Sequence, residues 1–220
     1  MKILILGGTK EAAALAERLV RENNEVTSSL AGRTKEPKPL AGNVRIGGFG
    51  GPEGLANFLE KERFDKLIDA THPFAKQISA NAQAAAEISG IAFETVSRPP
   101  WRKQTQDTWI EVASLEEARD CLEKSSRVLL ALGSQYIALF NTRDDVFFLV
   151  RMVDKPEKQL QLPNHELLLG KPSPHWQEEA DMLTTKGITH IICRNSGGSG
   201  AYAKVEAARH LGIPVIMVQR

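Results

Sequence analysis

Cysteine is scarce. Cys121 and Cys193 are the only two among 220 residues, and they stand in no metal-ligand spacing. That excludes a disulfide framework and points to free thiols in a reducing compartment. The five histidines, at positions 72, 165, 175, 190 and 210, are equally scattered, so no metal site is expected. An excess of charge is also missing. Twenty-eight basic residues face 27 acidic ones, for a net charge of +1, which argues against a broad nucleic-acid or membrane surface. No apolar run approaches the roughly 18 residues of a membrane span. The N-terminal segment, charged by Lys2, lacks the long apolar region of a leader. The expectation is a cytoplasmic protein, a monomer or small homo-oligomer, with neither nucleic acid nor membrane as partner. Several catalytic signatures are absent as well. Tyr136 and Tyr202 are followed four residues later by Phe140 and Glu206, so there is no Tyr-x-x-x-Lys pair. There is also no phosphate-binding G-x-x-x-x-G-K-[ST] loop, no G-x-S-x-G elbow and no H-E-x-x-H.

What is present is an alternation of short apolar runs with helical patterns, the sign of parallel sheets with crossover helices. Residues 2–6, 25–30, 44–46, 66–70 and 91–96 read as strands of a first unit. Helices begin at Lys10, Pro52 and Ala75. Residues 97–108 look like a linker. The second unit reads as strands at 109–112, 127–132, 146–150, 190–193 and 215–218. Its helices fall at 115–122, from Ser134 to about Phe140, at 176–184 and at 201–210, and the segment 161–170 is ambiguous between states. The fold class is α/β, with two Rossmann-like units of parallel sheet (1–97 and 98–220) and a cleft between them; one continuous sheet is the alternative.

Four polar loops follow strands of the first unit, and an open parallel sheet gathers such loops at its carboxyl edge, where ligands bind. The first is Gly7-Gly8-Thr9 with Glu11, which suits either a pyrophosphate turn or a plain strand-to-helix turn. The second, Leu30-Ala31-Gly32-Arg33, has no acid to bind a ribose 2′-hydroxyl. Arg33 suits a 2′-phosphate instead, or is a solvated loop residue. The third, Gly47 to Gly51 (with Gly48, Phe49, Gly50 and Gly51), spends much backbone entropy on glycine. The fourth is Thr71-His72-Pro73-Phe74. His72 suits acid–base work or a purely positioning role, and Asp69 suits loop ordering or helix capping. In the second half, Arg194-Asn195-Ser196-Gly197-Gly198 resembles an anion nest before a helix, flanked by Lys204. Arg98, Trp101, Arg102 and Lys103 form a basic-aromatic patch. Together these groups suggest a large, anionic, partly flat substrate.

In this order the loops resemble those of the precorrin-6A reductase family. The resemblance rests on Leu6-Gly7-Gly8-Thr9, Ser29 to Arg33, Gly47 to Gly51 with Gly54-Leu55, Asp69 to Ala75, Arg98-Pro99 with Trp101, and Asn195 to Gly198 with Lys204. It implies an oxidoreductase of cobalamin biosynthesis that moves a hydride from a nicotinamide nucleotide to a double bond of precorrin-6A, or of its cobalt form. NADPH is the expected cofactor, with NADH open, and the substrate is an anionic tetrapyrrole. The first-unit loops would take the cofactor, and Arg98, Trp101, Arg102, Arg194 to Gly198 and Lys204 the substrate. No residue is singled out as catalytic. Two positions depart from the family pattern. Arg194 stands where a lysine is usual, and an arginine does not give up its proton. Gly170-Lys171-Pro172 replaces a Gly-Pro-Phe stretch. Two other functions compete on the residues alone: a non-catalytic NAD(P)-binding regulatory module, and a Rossmann reductase or epimerase of a small substrate.

Overall fold

The computed structural model describes residues 1–32, 39–156 and 158–220. The chain divides into two compact units, Met1–Arg98 and Pro99–Arg220. The first carries β1 (Lys2–Leu6), α1 (Lys10–Arg21), β2 (Glu25–Leu30), β3 (Asn43–Ile46), α2 (Pro52–Lys61), β4 (Lys66–Asp69), α3 (Lys76–Ser89) and β5 (Ala92–Thr95). Its sheet order is β3-β2-β1-β4-β5, parallel throughout. Alternation along β1 splits the core in two. Leu4 and Leu6 pack with Leu55, Leu59, Ala82 and Ala85 of α2 and α3. Ile3 and Ile5 pack with Ala12, Leu15 and Ala16 of α1. A strand covered on both faces must be apolar at every position, which is why Ile3-Leu4-Ile5-Leu6 reads as an unbroken run.

The second unit carries β6 (Trp109–Val112), α4 (Leu115–Asp120), β7 (Arg127–Ala131), a 3₁₀ helix (Ser134–Phe140), β8 (Phe147–Met152), β9 (His165–Leu169), α5 (Trp176–Thr185), β10 (His190–Arg194), α6 (Ala203–Leu211) and β11 (Val215–Val218). Its order is β6-β11-β10-β7-β8-β9, again parallel. Read from β7, the strands β7 to β11 repeat the order of the first sheet, with β6 added at the far edge. Leu129, Leu149, Ile191 and Val215 face α5 and α6. On the other face Phe148 meets Phe140 of the 3₁₀ helix, ring centroids 5.6 Å apart.

The α/β class and the two parallel sheets are as expected; a single continuous sheet is not what forms. Apart from shifts of one or two residues at element ends, three elements differ in kind or role. The segment 134–140 is 3₁₀ rather than α. Its buried residues, Ile137 and Phe140, lie three apart, so both still face the core in the tighter helix. The ambiguous 161–170 segment contains an edge strand, β9. Arg194 closes β10, paired with Val218, instead of opening the loop.

Gly54 shows how closely α2 approaches the loop before it. A Cβ there would lie 1.9 Å from the Phe49 carbonyl oxygen. Gly54→Ala should therefore destabilise the protein by about 3 kcal/mol through overpacking against backbone. Chemical denaturation measures this, and an unchanged midpoint would count against the close approach.

Candidate functional site

Doubly wound sheets bind ligands at the carboxyl edge, where the strand order reverses. In the first unit that point lies between β1 and β4. The turn after β1 is held by Thr9, whose hydroxyl accepts from the Ala12 N–H at 3.0 Å and donates to the Ala70 carbonyl at 2.9 Å. One side chain thus caps α1 and ties it to the end of β4. The Gly7 N–H donates to Ser29 of β2. Gly8 has φ +104°, and a Cβ there would meet nothing within 4 Å. Glu11, in the first turn of α1, pairs with Arg98 at 2.6 Å. Thr9, Glu11, Ala70, Thr71, Val96, Ser97 and Arg98 line a small recess.

After β4, Asp69 is buried and orders the loop. Its carboxylate accepts from the Thr71 N–H at 3.0 Å and from the Thr71 hydroxyl at 2.7 Å. His72 Nδ1 accepts from the Phe74 N–H at 3.3 Å, so the ring shapes its own loop through Pro73. The glycine loop after β3 bonds back to β2, Gly47 N–H to the Leu30 carbonyl at 2.9 Å. Ala31 and Gly32 continue from β2 and are exposed, and Arg33 lies outside the described residues. A Cβ at Gly48 or Gly50 would meet nothing within 4 Å, and Gly51 serves as the cap of α2 without a side-chain bond. Phe49 turns inward onto Phe58. Sequence reasoning missed Arg45. Its guanidinium donates to the carbonyls of Gly47 and Gly48 at 2.6 and 2.7 Å and stacks 3.8 Å from the Phe49 ring centroid. The signal available was a basic residue immediately before a glycine run.

In the second unit the strand order reverses between β7 and β10. Gly133 and Ser134 follow β7, and Asn195 to Gly198 follow β10. Arg194 lies over the Tyr136 ring, 4.7 Å from its centroid, which puts residues from both sides of the crossover in contact. The Asn195 amide is committed internally. Its Oδ1 accepts from the Trp101 N–H at 2.7 Å, and its Nδ2 donates to the Trp101 carbonyl at 3.0 Å. The Trp101 indole donates to the Gly198 carbonyl at 2.7 Å. Arg220 donates to the carbonyls of Asn195 and Ser196. Gly197, at φ +67°, leaves no space for a side chain, because a Cβ would lie 2.1 Å from the Pro99 carbonyl oxygen. Lys204 is buried, donates to the Ala201 carbonyl at 2.6 Å and sits 5.2 Å from the Trp101 ring centroid. Burial pushes its ammonium below the ordinary lysine value and pushes the neighbouring Cys193 thiol up. Both Asn195 and Lys204 thus support the loop from within, whereas Arg102 is exposed. Among the described residues no cluster suits a metal ion, and no helix is long and apolar enough to cross a membrane.

The precorrin-6x reductase CbiJ/CobK family matches residues 2–220. The chain belongs to that family. Among precorrin-6x reductase relatives, a precorrin-6A reductase from a Sinorhizobium species is 44% identical over 221 residues, covering all of this chain and 85% of the relative. A cobalt-precorrin-6A reductase from Priestia megaterium is 29% identical, covering 99% of this chain and 90% of its own length. A solved structure described as CobK precorrin-6A reductase superposes with a TM-score of 0.95 at 42% identity, over all of this chain and 88% of that one. Membership of a precorrin-6x reductase family implies a nicotinamide cofactor, and the carboxyl edge of the first unit fits one. Glycines 8, 48 and 50 leave open space where a Cβ would otherwise stand, as close approach by a pyrophosphate needs.

Lys204 carries a prediction about pH. Its folded pKa is lowered by burial, while the unfolded chain restores the ordinary value. Between the two the unfolded state holds the extra proton, so stability rises with pH there. The unfolding free energy of the wild type relative to Lys204→Met should therefore increase as pH is raised toward the lysine range. A difference independent of pH would refute it.

Proposed function

We propose that the chain transfers a hydride from NADPH to one carbon of a double bond in precorrin-6A, with a proton added at the neighbouring carbon. The observation that carries this is the pairing of family membership with the open glycine edge of the first unit. The cofactor supplies the hydride. Gly7, Gly8 and Thr9 would hold the pyrophosphate at the start of α1, with the hydroxyl of Thr9 fixing the turn. Leu30 to Arg33 and Gly48 to Gly51 would take the adenosine half. The loop from Thr71 to Phe74, stiffened by Asp69, would support the nicotinamide side. Glu11 acts through Arg98, which it orients.

For the substrate, Arg102 and Arg194 are the cations proposed to meet carboxylates, and charge-assisted bonds to them are among the stronger polar contacts. Asn195, Lys204 and Trp101 contribute by fixing the shape of the loop from Ser196 to Gly198. Arg194 stays protonated, so it orients a carboxylate rather than donating a proton. Positioning supplies much of the rate, since the conjugated macrocycle accepts the hydride readily. The metal-free substrate is the favoured one, because the relative named for it is 44% identical and the one named for the cobalt form 29%.

The direct test mixes the protein with NADPH and precorrin-6A. Nicotinamide absorbance should fall only when the tetrapyrrole is present. Tight NADPH binding without turnover on either form of the tetrapyrrole would favour a regulatory module instead. A second test concerns Arg33, proposed at the 2′-phosphate. Arg33→Ala should weaken NADPH by about 2 kcal/mol more than NADH, the size of a lost charge-assisted bond. Equal weakening would remove the assignment.

A further inference from the structure

The ends of β2 and β3 hold a cation, Arg45, that pairs with no carboxylate among the described residues. Ser29 and Arg45 are register partners, so their side chains share one face of the sheet. Arg45 Nη1 donates to the Gly47 carbonyl at 2.6 Å and, at 3.4 Å, to the Ser29 hydroxyl; Nη2 donates to the Gly48 carbonyl at 2.7 Å. Every one of these acceptors is neutral. Elsewhere Arg98, Arg143, Arg151 and Arg209 each meet a carboxylate at 2.6–2.8 Å. Among the described residues no acidic side chain forms such a pair with Arg45. A guanidinium has five N–H donors, so the contacts made here leave donors over. The group is only half-buried and is bonded to Gly48, where a Cβ would meet nothing within 4 Å.

We propose that Arg45 is a further specificity-determining residue, in addition to Arg33, that binds the 2′-phosphate of the nucleotide. The end of the second strand is where a dinucleotide fold reads the ribose 2′ position, by an acid for a hydroxyl or an arginine for a phosphate. Here that strand ends in Ser28-Ser29-Leu30, and the serine nearest the edge on this face is bonded to the Arg45 guanidinium. The carbonyls of Gly47 and Gly48 and the Phe49 ring hold the fork in place before any ligand arrives, so little side-chain freedom is lost on binding.

This rests on the assignment of a nicotinamide nucleotide to the first unit. The experiment measures NADPH and NADH dissociation constants for the full chain, the Arg45→Gln variant and the Arg45→Lys variant. Glutamine keeps a donor for the loop carbonyls and removes the charge, and lysine keeps the charge and removes the fork. The preference for NADPH should drop on the order of tenfold or more in Arg45→Gln, the worth of a hydrogen bond to a charged group, with NADH little changed. Arg45→Lys should retain part of the preference. Equal loss of both nucleotides in Arg45→Gln would make Arg45 a scaffold of the glycine loop and overturn the proposal. So would an unchanged preference, or a wild type that binds both nucleotides alike. A wild type that binds neither nucleotide would instead sink the cofactor assignment itself.

Discussion

All strands within each sheet run the same way, and this one constraint arranges the functional residues. A parallel strand cannot turn back directly; it needs a crossover, so each strand hands its next loop to the same edge. That is why the stretches around Gly7, Leu30, Gly47 and Thr71, spread over some seventy positions, belong to one edge of one sheet. The second unit repeats the arrangement with the loops after β7 and β10. The strand reversal then leaves a gap between neighbouring loops at the centre of each edge, and polar residues gather there.

The two edges are stiffened differently. In the first, a few side chains reach backbone groups across short distances: Thr9 to Ala70, Asp69 to Thr71, Arg45 to Gly47 and Gly48. In the second, an entire segment serves as the brace. Pro99 to Trp101 lies against the loop after β10, fixed by the Asn195 amide, the Trp101 indole and the absence of a side chain at Gly197. Six residues further along the chain, Asp107 pairs with Arg209 of α6, with Tyr202 joining through its hydroxyl.

Much of this is legible in the sequence. Unbroken apolar runs such as Ile3 to Leu6 identify doubly covered strands, and glycine clusters mark where they end. The edge of the first unit was legible because its polar loops are local in sequence. What escaped is tertiary. Asn195 and Lys204 are polar residues beside a glycine run, the pattern of a binding loop, and only the fold reveals that both turn inward toward Trp101. Arg45 sits inside a strand pattern, where a charged residue ordinarily means a solvated face. Its contacts depend on the chain reversing within two residues. The 3₁₀ character of 134–140 could not be read either, since apolar residues three apart suit both helix types.

The bond between Asn195 and Trp101 has a bearing on how the molecule comes to be folded. Its partners are separated by 94 positions, and the pairing of Trp109 with Val215 spans a similar stretch, so strand and brace share the entropy of closing one long loop. Local helices and neighbouring strands can assemble without it. The loop after β10 can take its final shape only once the beginning and the end of the second unit have met, and contacts of such sequence separation are slow to form. The carboxyl edge of that unit thus depends on both ends of the unit being present, and a chain cut short before Asn195 would lack it however well the remaining strands paired.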